Sequence, residues 1–227
     1  MRDVGQPCFQ AMRSGGIDEC AKVCRQAGGC AESKSGLLDV EGVSDTCPVR
    51  AFEATLVKCG IGRRERTLLV DDIRGTKPLQ PTQPLDVVRA WLEQKPKPNL
   101  LILGGTKGIG KTVAACFALS RFSRTFPGRY VLSSDVVDPK VRIKRLANYA
   151  LLVVDQVGHE YVASPEWCES RFSELVVRRD SDMLPTIFVG NLDEEAFRGR
   201  YKSLVGDRVD GDGEFRIFKA PSLRGQV

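Results

Sequence analysis

The sequence lacks any run of apolar residues close to the roughly 20 that a helix needs to cross a bilayer. Its first ten residues, MRDVGQPCFQ, lack the apolar core of a secretory signal peptide. We therefore expect a cytoplasmic protein with no membrane partner. The net charge of +5 permits a nucleic-acid partner without requiring one. With 227 residues, 42% of them apolar, the chain is long enough for one good core and a smaller appendage.

No pair of cysteines has the C-x₂-C spacing of a standard zinc finger, although the chain has eight cysteines. Most of them lie in the first 60 residues, and disulfides are not expected in a reducing cytoplasm. Two of the cysteines are one turn apart in a helix predicted over 17–27. The candidate zinc ligands are Cys20, Cys24 and Cys30, with Cys47 or Cys8 as the fourth. Small buried or free thiols are the alternative.

Two regions are predicted from the change in composition along the chain. Residues 1–47 form a small cysteine-rich N-terminal region, rich in Gly, Ser and charge, and 48–227 form the main domain. Near the start of the main domain, we predict helices over 48–59 and 84–94, a basic turn at 60–67 and a proline-rich loop at 74–84.

From Leu100 onward, strand and helix patterns alternate, which indicates an α/β fold with a parallel sheet flanked by helices on both faces. The predicted strands are 100–104, 129–134, 150–155, 185–191 and 214–219. The predicted helices are 110–122 and 165–179.

The stretch GTKGIGKT at 105–112 fits the pattern G-x-x-x-x-G-K-[ST] between a predicted strand and a predicted helix. This context is typical of a P-loop, in which backbone N–H groups surround the phosphates of ATP. Lys111 is suited to reach the β- and γ-phosphates, and Thr112 to offer its hydroxyl to Mg²⁺. The predicted nucleotide-binding residues are Gly105, Thr106, Lys107, Gly108, Ile109, Gly110, Lys111, Thr112 and Val113.

A carboxylate for the metal is predicted at Asp155, which ends the apolar run LLVVD. Thr112 and Asp155 are therefore the candidate Mg²⁺ ligands. Gln156 follows, where a hydrolase would have glutamate, and an amide is a poor proton acceptor. Slowed hydrolysis, rescue by Glu160 or by a partner's group, and no turnover are the three alternatives. The single histidine, His159, is interpreted as a loop residue rather than a metal ligand.

The ordered motifs GTKGIGKT, LLVVDQVG, PTIFVGNL (185–192) and GDRV (206–209) resemble the AAA+ replicative helicase loaders of DnaC type. They are also similar to the transposition helper ATPases of IstB type. The stretch CGIGRRERT looks like the family's turn beside the adenine, with Gly62 in place of proline. The resemblance covers about residues 50–224 and implies a P-loop NTPase of AAA+ type without a C-terminal lid.

Three further residues take their roles from this resemblance. Asn191 resembles sensor 1, which places water at the γ-phosphate, and the alternative is a helix N-cap in a capping box with Glu194. Arg208 resembles the arginine finger that completes a neighbouring subunit's site in a homo-oligomer, and the alternative is an exposed ion pair with Asp207 or Asp210. Arg224 resembles a family arginine near the C-terminus. The predicted catalytic set is Lys111, Asp155, Gln156, Asn191 and Arg208.

A basic run, KVRIKR at 140–145, is the candidate contact for single-stranded DNA. Its basic residues are Lys140, Arg142, Lys144 and Arg145. A solvated helix face is the alternative, since no aromatic residue interleaves the run.

Three functions remain open from the sequence. The first is a loader that uses ATP binding and slow hydrolysis to place a replicative helicase on single-stranded DNA. The second is a transposition helper on duplex DNA, and the third is an adaptor that binds nucleotide without hydrolysing it.

Overall fold

The computed structural model of the chain describes residues 37–40, 43–46, 48–94, 99–123, 127–160, 164–201, 211 and 213–223, with side chains from residue 51 onward. Two compact units make up the chain, Met1–Gln80 and Pro81–Val227. The sequence-based domain boundary at 47/48 stays a prediction. The helix predicted over 17–27 and the five candidate zinc ligands lie outside the described residues.

In the first unit, β1 (Leu37–Val40) pairs antiparallel with β2 (Val43–Thr46), a pairing that the sequence analysis did not predict. Two helices follow, α1 (Pro48–Lys58) and α2 (Arg63–Arg74). The basic turn predicted at 60–67 is therefore wrong beyond Gly62. Extended backbone at Gly62 starts α2, and its buried side chains, Leu69, Val70 and Ile73, have helical spacing.

The second unit is built on a five-stranded sheet in the order β4-β5-β6-β3-β7, and every pair in it is parallel. Its strands are β3 (Leu100–Gly105), β4 (Gly128–Leu132), β5 (Leu151–Val157), β6 (Thr186–Gly190) and β7 (Gly213–Phe218). The predicted α/β fold with a parallel sheet is confirmed. Because the strands are parallel, the chain leaves β3, β5 and β6 at the same edge of the sheet.

Helices flank this sheet. They are α3 (Gln83–Glu93), α4 (Lys111–Phe122), α5 (Ser133–Val137), α6 (Ile143–Ala147), α7 (Pro165–Ser181) and α8 (194–201). Helix α5 is not predicted from the sequence, and helices at the positions of α6 and α8 are predicted only as alternatives, as a solvated helix face and as a helix after Asn191. No helix among the described residues is long and apolar enough to span a bilayer.

An aromatic cluster packs α7 and α8 against the sheet. The rings of Phe172 and Tyr201 lie 4.7 Å apart, and those of Phe197 and Tyr201 lie 4.9 Å apart. Phe188 of β6 meets Phe172 edge-on at 5.7 Å. All four side chains are at most 2% exposed, so α8 is fixed to the core by its buried face.

A buried arginine holds the segment before β5 in place. Arg179 of α7 is 1% exposed, and its guanidinium donates to the carbonyls of Ala147, Tyr149 and Pro185 at 2.9, 2.6 and 2.5 Å. It also donates to the hydroxyl of Thr186 at 2.7 Å. Burial lowers the pKa of Arg179 to about 10, so the group stays charged at neutral pH. This one side chain therefore satisfies several buried oxygens between α6 and β6.

Candidate nucleotide-binding site

The glycine-rich loop begins where β3 ends and finishes where α4 begins. Gly105 and Gly110 have φ of 93° and 94°, a region that residues with a Cβ rarely adopt. A Cβ at Gly105 would also collide with the backbone of Phe218 in β7. The N–H of Thr106 donates to the carbonyl of Phe218 at 2.9 Å. Strand β7 therefore fixes the first turn of the loop.

Lys111 lies inside this loop and is 6% exposed. Its ammonium donates to the carbonyls of Gly105 and Thr106 at 2.8 and 2.5 Å. Burial lowers the pKa of Lys111 to about 8, and the Asp155 carboxylate opposes part of this shift. At neutral pH the ammonium is therefore mostly charged. Because no side chain caps the N-terminus of α4, its N–H groups add to a site that favours phosphate oxygens.

Asp155 lies near the end of β5 and is 6% exposed. Its Oδ2 accepts from the hydroxyl of Thr112 at 2.9 Å and from the hydroxyl of Tyr130 at 2.7 Å. Its Oδ1 accepts from the N–H of Gln156 at 2.7 Å. Two oxygen atoms that could bind a metal, the hydroxyl of Thr112 in α4 and the carboxylate of Asp155 in β5, thus converge beside the P-loop. This donor set fits Mg²⁺, which prefers carboxylate, hydroxyl and phosphate oxygens.

Gln156 occupies a β-bulge, since the register of β5 and β6 shifts between Val154 and Val157. Its φ is 61° and its side chain is exposed. The carbonyl of Gln156 accepts from the hydroxyl of Ser133 at 2.9 Å and from the N–H of His159 at 3.0 Å. Hydrogen bonds therefore hold the backbone of the bulge, and the uncharged amide of Gln156 is turned toward solvent next to the Asp155 carboxylate.

Glu160 has a different environment from that of a free general base. Its side chain is fully buried, and Oε1 accepts from the N–H of Gly158 at 2.9 Å and from the hydroxyl of Tyr201 at 2.8 Å. Its Oε2 pairs with the guanidinium of Arg200 at 2.9 Å. Burial and this carboxylate raise the pKa of Tyr201. Both oxygens of Glu160 therefore join the loop after β5 to α8.

Asn191 follows the last residue of β6, and its side chain reaches the P-loop lysine. Its Oδ1 accepts from Nζ of Lys111 at 3.4 Å, and its Nδ2 lies 3.1 Å from Nε2 of His159. The alternative role as a helix N-cap is wrong, because Asp193 caps α8. The Asp193 carboxylate accepts from the N–H of Ala196 at 2.8 Å.

The fold thus brings together most of the catalytic set predicted from the sequence. These are Lys111, Asp155, Gln156 and Asn191, together with Thr112. Arg208 and Arg224 lie outside the described residues. Tyr130 is not predicted as a site residue from the sequence, and His159 is interpreted there only as a loop residue rather than a metal ligand. Neither contact has a local sequence signal, because each joins separate elements.

The four basic residues of the run 140–145 are exposed, on and just before α6. Ile143 and Leu146 of the same segment are buried. This arrangement suits a solvated face as well as a DNA contact, so the DNA contact stays a prediction. The described residues contain no group of three or more His, Cys, Asp or Glu side chains suited to a metal.

A parallel sheet in this order, with a glycine-rich loop after its inner strand β3 and a carboxylate on β5, defines a P-loop nucleotide-binding fold. By sequence, the chain matches no family model and no curated protein.

By fold, it matches the crystal structure of the DnaC helicase loader with a TM-score of 0.55 and 18% identity, over 70% of this chain and 100% of that chain. It matches the replication initiator DnaA bound to AMPPCP and single-stranded DNA with a TM-score of 0.53 and 17% identity, over 65% of this chain and 49% of that one. A DNA replication initiation factor matches with a TM-score of 0.50 and 18% identity, over 59% of this chain. The chain covers only 44% of that factor's length. The chain therefore shares its P-loop fold with the DnaC helicase loader and with DnaA.

Proposed function

We propose that the chain binds ATP with Mg²⁺ and acts in DNA replication as a helicase loader. The observation that supports nucleotide binding most directly is the convergence at one sheet edge of Lys111, Thr112 and Asp155. A buried ammonium and the open N-terminus of α4 complement the charge of a triphosphate. The matched DnaA structure is bound to the ATP analogue AMPPCP.

Each of these residues has a distinct task. Lys111 neutralises the β- and γ-phosphates, and the loop amides orient them. Thr112 and Asp155 would hold Mg²⁺, which screens the charge of the phosphates when bound. Asn191, whose Oδ1 accepts from the Lys111 ammonium, would orient the attacking water at the γ-phosphate.

Slow hydrolysis follows from the groups around Asp155. Gln156 carries an amide that orients water but accepts a proton poorly. Glu160 is committed to Tyr201, Arg200 and the backbone of Gly158. Bound ATP therefore persists, and the chain works as a switch whose ATP-bound form is long-lived.

The loader role rests on the resemblance of the ordered motifs and on the DnaC fold match. The partners that this role implies are a replicative helicase, single-stranded DNA at Lys140, Arg142, Lys144 and Arg145, and further copies of the chain through Arg208. The role also implies a cytoplasmic location. Zinc in the N-terminal region stays a prediction based on the cysteine spacing.

Titration calorimetry with Mg²⁺ and ATP tests the nucleotide site. We expect binding by the native chain and by the Lys77→Ala variant, whose altered side chain is exposed. Lys111→Ala should lower the affinity at least about a hundredfold, because the triphosphate would no longer contact a buried ammonium. Equal affinity in all three proteins would contradict the assignment.

Capture of partners tests the loader role. The immobilised chain is offered a replicative helicase in the presence of ATP, with Lys111→Ala as the matched control. Retention of the helicase by the native chain alone supports loading. Filaments on duplex DNA without helicase retention would support the transposition helper instead.

A further inference from the structure

His159, the only histidine in the sequence, is connected to Lys111 of the candidate nucleotide site through the side chain of Asn191. Nε2 of His159 lies 3.1 Å from Nδ2 of Asn191, and Oδ1 of the same amide accepts from Lys111 at 3.4 Å. The Asn191 amide therefore lies between a cation and an imidazole.

The chemistry of these groups fixes which way the amide points. A lysine ammonium only donates, so the atom of Asn191 that faces it must be the oxygen. The amide nitrogen then faces the imidazole and needs an acceptor. Nε2 of a neutral histidine protonated on Nδ1 is such an acceptor. The hydrogen-bonding partners of the Asn191 amide therefore assign its orientation.

The loop that bears His159 is itself held on both sides. The N–H of His159 donates to the carbonyl of Gln156 at 3.0 Å. The next residue, Glu160, is buried and bonded to Tyr201 and Arg200 of α8. The backbone on either side of the imidazole is therefore held by hydrogen bonds, through Gln156 before it and through Glu160 after it.

We propose that His159 is a positioning residue that keeps the oxygen of Asn191 toward the Lys111 ammonium. Asn191 then holds this ammonium at the γ-phosphate position, and His159 thereby sets the preference for ATP over ADP. This inference rests on the proposed nucleotide site and identifies what tunes its recognition of the third phosphate. Without an acceptor at Nε2, the Asn191 amide is free to rotate, and its oxygen no longer stays toward the Lys111 ammonium.

The test is the ratio of the dissociation constants for ADP and for the non-hydrolysable analogue AMPPCP, measured by calorimetry with Mg²⁺. His159→Ala should lower this ratio by about three- to tenfold, the worth of one hydrogen bond. His159→Gln, whose Oε1 accepts, should retain most of it. In an Asn191→Ala background, the further change His159→Ala should have no effect, because the positioned group is gone.

Each outcome separates this inference from the proposed function. If the native chain binds neither nucleotide, the nucleotide site itself is wrong. If it binds both but shows a ratio near one, or if His159→Ala lowers the ratio equally with and without Asn191, only the positioning role is overturned. Failure of His159→Gln to retain more preference than His159→Ala would overturn it as well.

Discussion

The hydroxyl of Thr112 and the carboxylate of Asp155 lie 2.9 Å apart, across 43 residues of sequence. One belongs to α4 and the other to β5, so tertiary structure alone brings them together. The same carboxylate oxygen accepts from Tyr130 of β4, which orients it further. Three elements thus determine where a divalent ion would meet the protein.

Replacing the Asp155 carboxylate should make the affinity for ATP less dependent on magnesium. For the native chain, we expect tighter binding of ATP in Mg²⁺ than in EDTA. For Asp155→Asn, the difference should shrink by about tenfold or more, since one anionic oxygen ligand is lost. Calorimetry under both conditions measures it, with the exposed Asp86→Asn as control. An undiminished dependence on magnesium would place the ion elsewhere.

Restoring a carboxylate in the bulge should accelerate hydrolysis. Gln156→Glu places a proton acceptor next to Asp155, and we expect turnover to rise by about tenfold or more, within the range of general base catalysis. Release of phosphate measures it. Gln156→Ala is the matched control, because it removes the amide without adding a base. Equal rates in the native chain and Gln156→Glu would locate the base at another residue.

Loss of the buried charge at Glu160 should lower the stability of the fold and leave the rate of ATP hydrolysis nearly unchanged. Glu160→Gln removes the ion pair with Arg200, and we expect the free energy of unfolding to fall by about 1–3 kcal/mol. Urea denaturation measures this free energy. Glu174→Gln is the control, because it removes an exposed ion pair with Arg178. Turnover per folded molecule should stay within about twofold of native. A stable variant without turnover would instead assign the base to Glu160.

Arg179 should be far more important for stability than its neighbour in sequence. Arg179→Met leaves the carbonyls of Ala147, Tyr149 and Pro185 without a donor, so we expect a loss of about 3 kcal/mol or more. Arg178→Met removes only a half-exposed i,i+4 pair, worth about 0.3–0.5 kcal/mol. Urea denaturation compares them, and similar losses would contradict the assigned role of Arg179.

If the basic run binds single-stranded DNA, its removal should change the salt dependence of binding. Changing Lys140, Arg142, Lys144 and Arg145 together to alanine should reduce the slope of log affinity against log salt by about 0.7 for each lost phosphate contact. Fluorescence anisotropy with labelled oligonucleotide measures the slope. The exposed basic residues Lys77 and Arg89 provide a control double variant. An unchanged slope would leave the run as a solvated surface.

The sheet and the P-loop are predictable from sequence because their signals are local. Apolar runs bounded by turn residues place β3 and β5 within one or two residues. The glycine spacing, Lys111 and Thr112 sit within eight consecutive positions, so the phosphate site needs no tertiary information.

The contacts that sequence reasoning missed depend on packing between distant segments. His159 and Asn191 meet only because β5 and β6 are neighbours in the sheet. Asp193, rather than Asn191, caps α8, and the sequence offers two suitable candidates two residues apart. Helix α2 was missed because Gly60 and Gly62 suggested a turn, although Gly62 starts the helix.

The support that β7 gives to the P-loop imposes an order on events during synthesis. The Phe218 carbonyl receives the N–H of Thr106, and the N–H of Leu223 donates to the carbonyl of Gly108. While residues 218–223 of a nascent chain are still inside the ribosomal exit tunnel, these two hydrogen bonds to the glycine-rich loop cannot form. The glycine-rich loop therefore lacks two of its backbone hydrogen bonds until residues 218–223, near the end of the unit, have been synthesised and have paired with it.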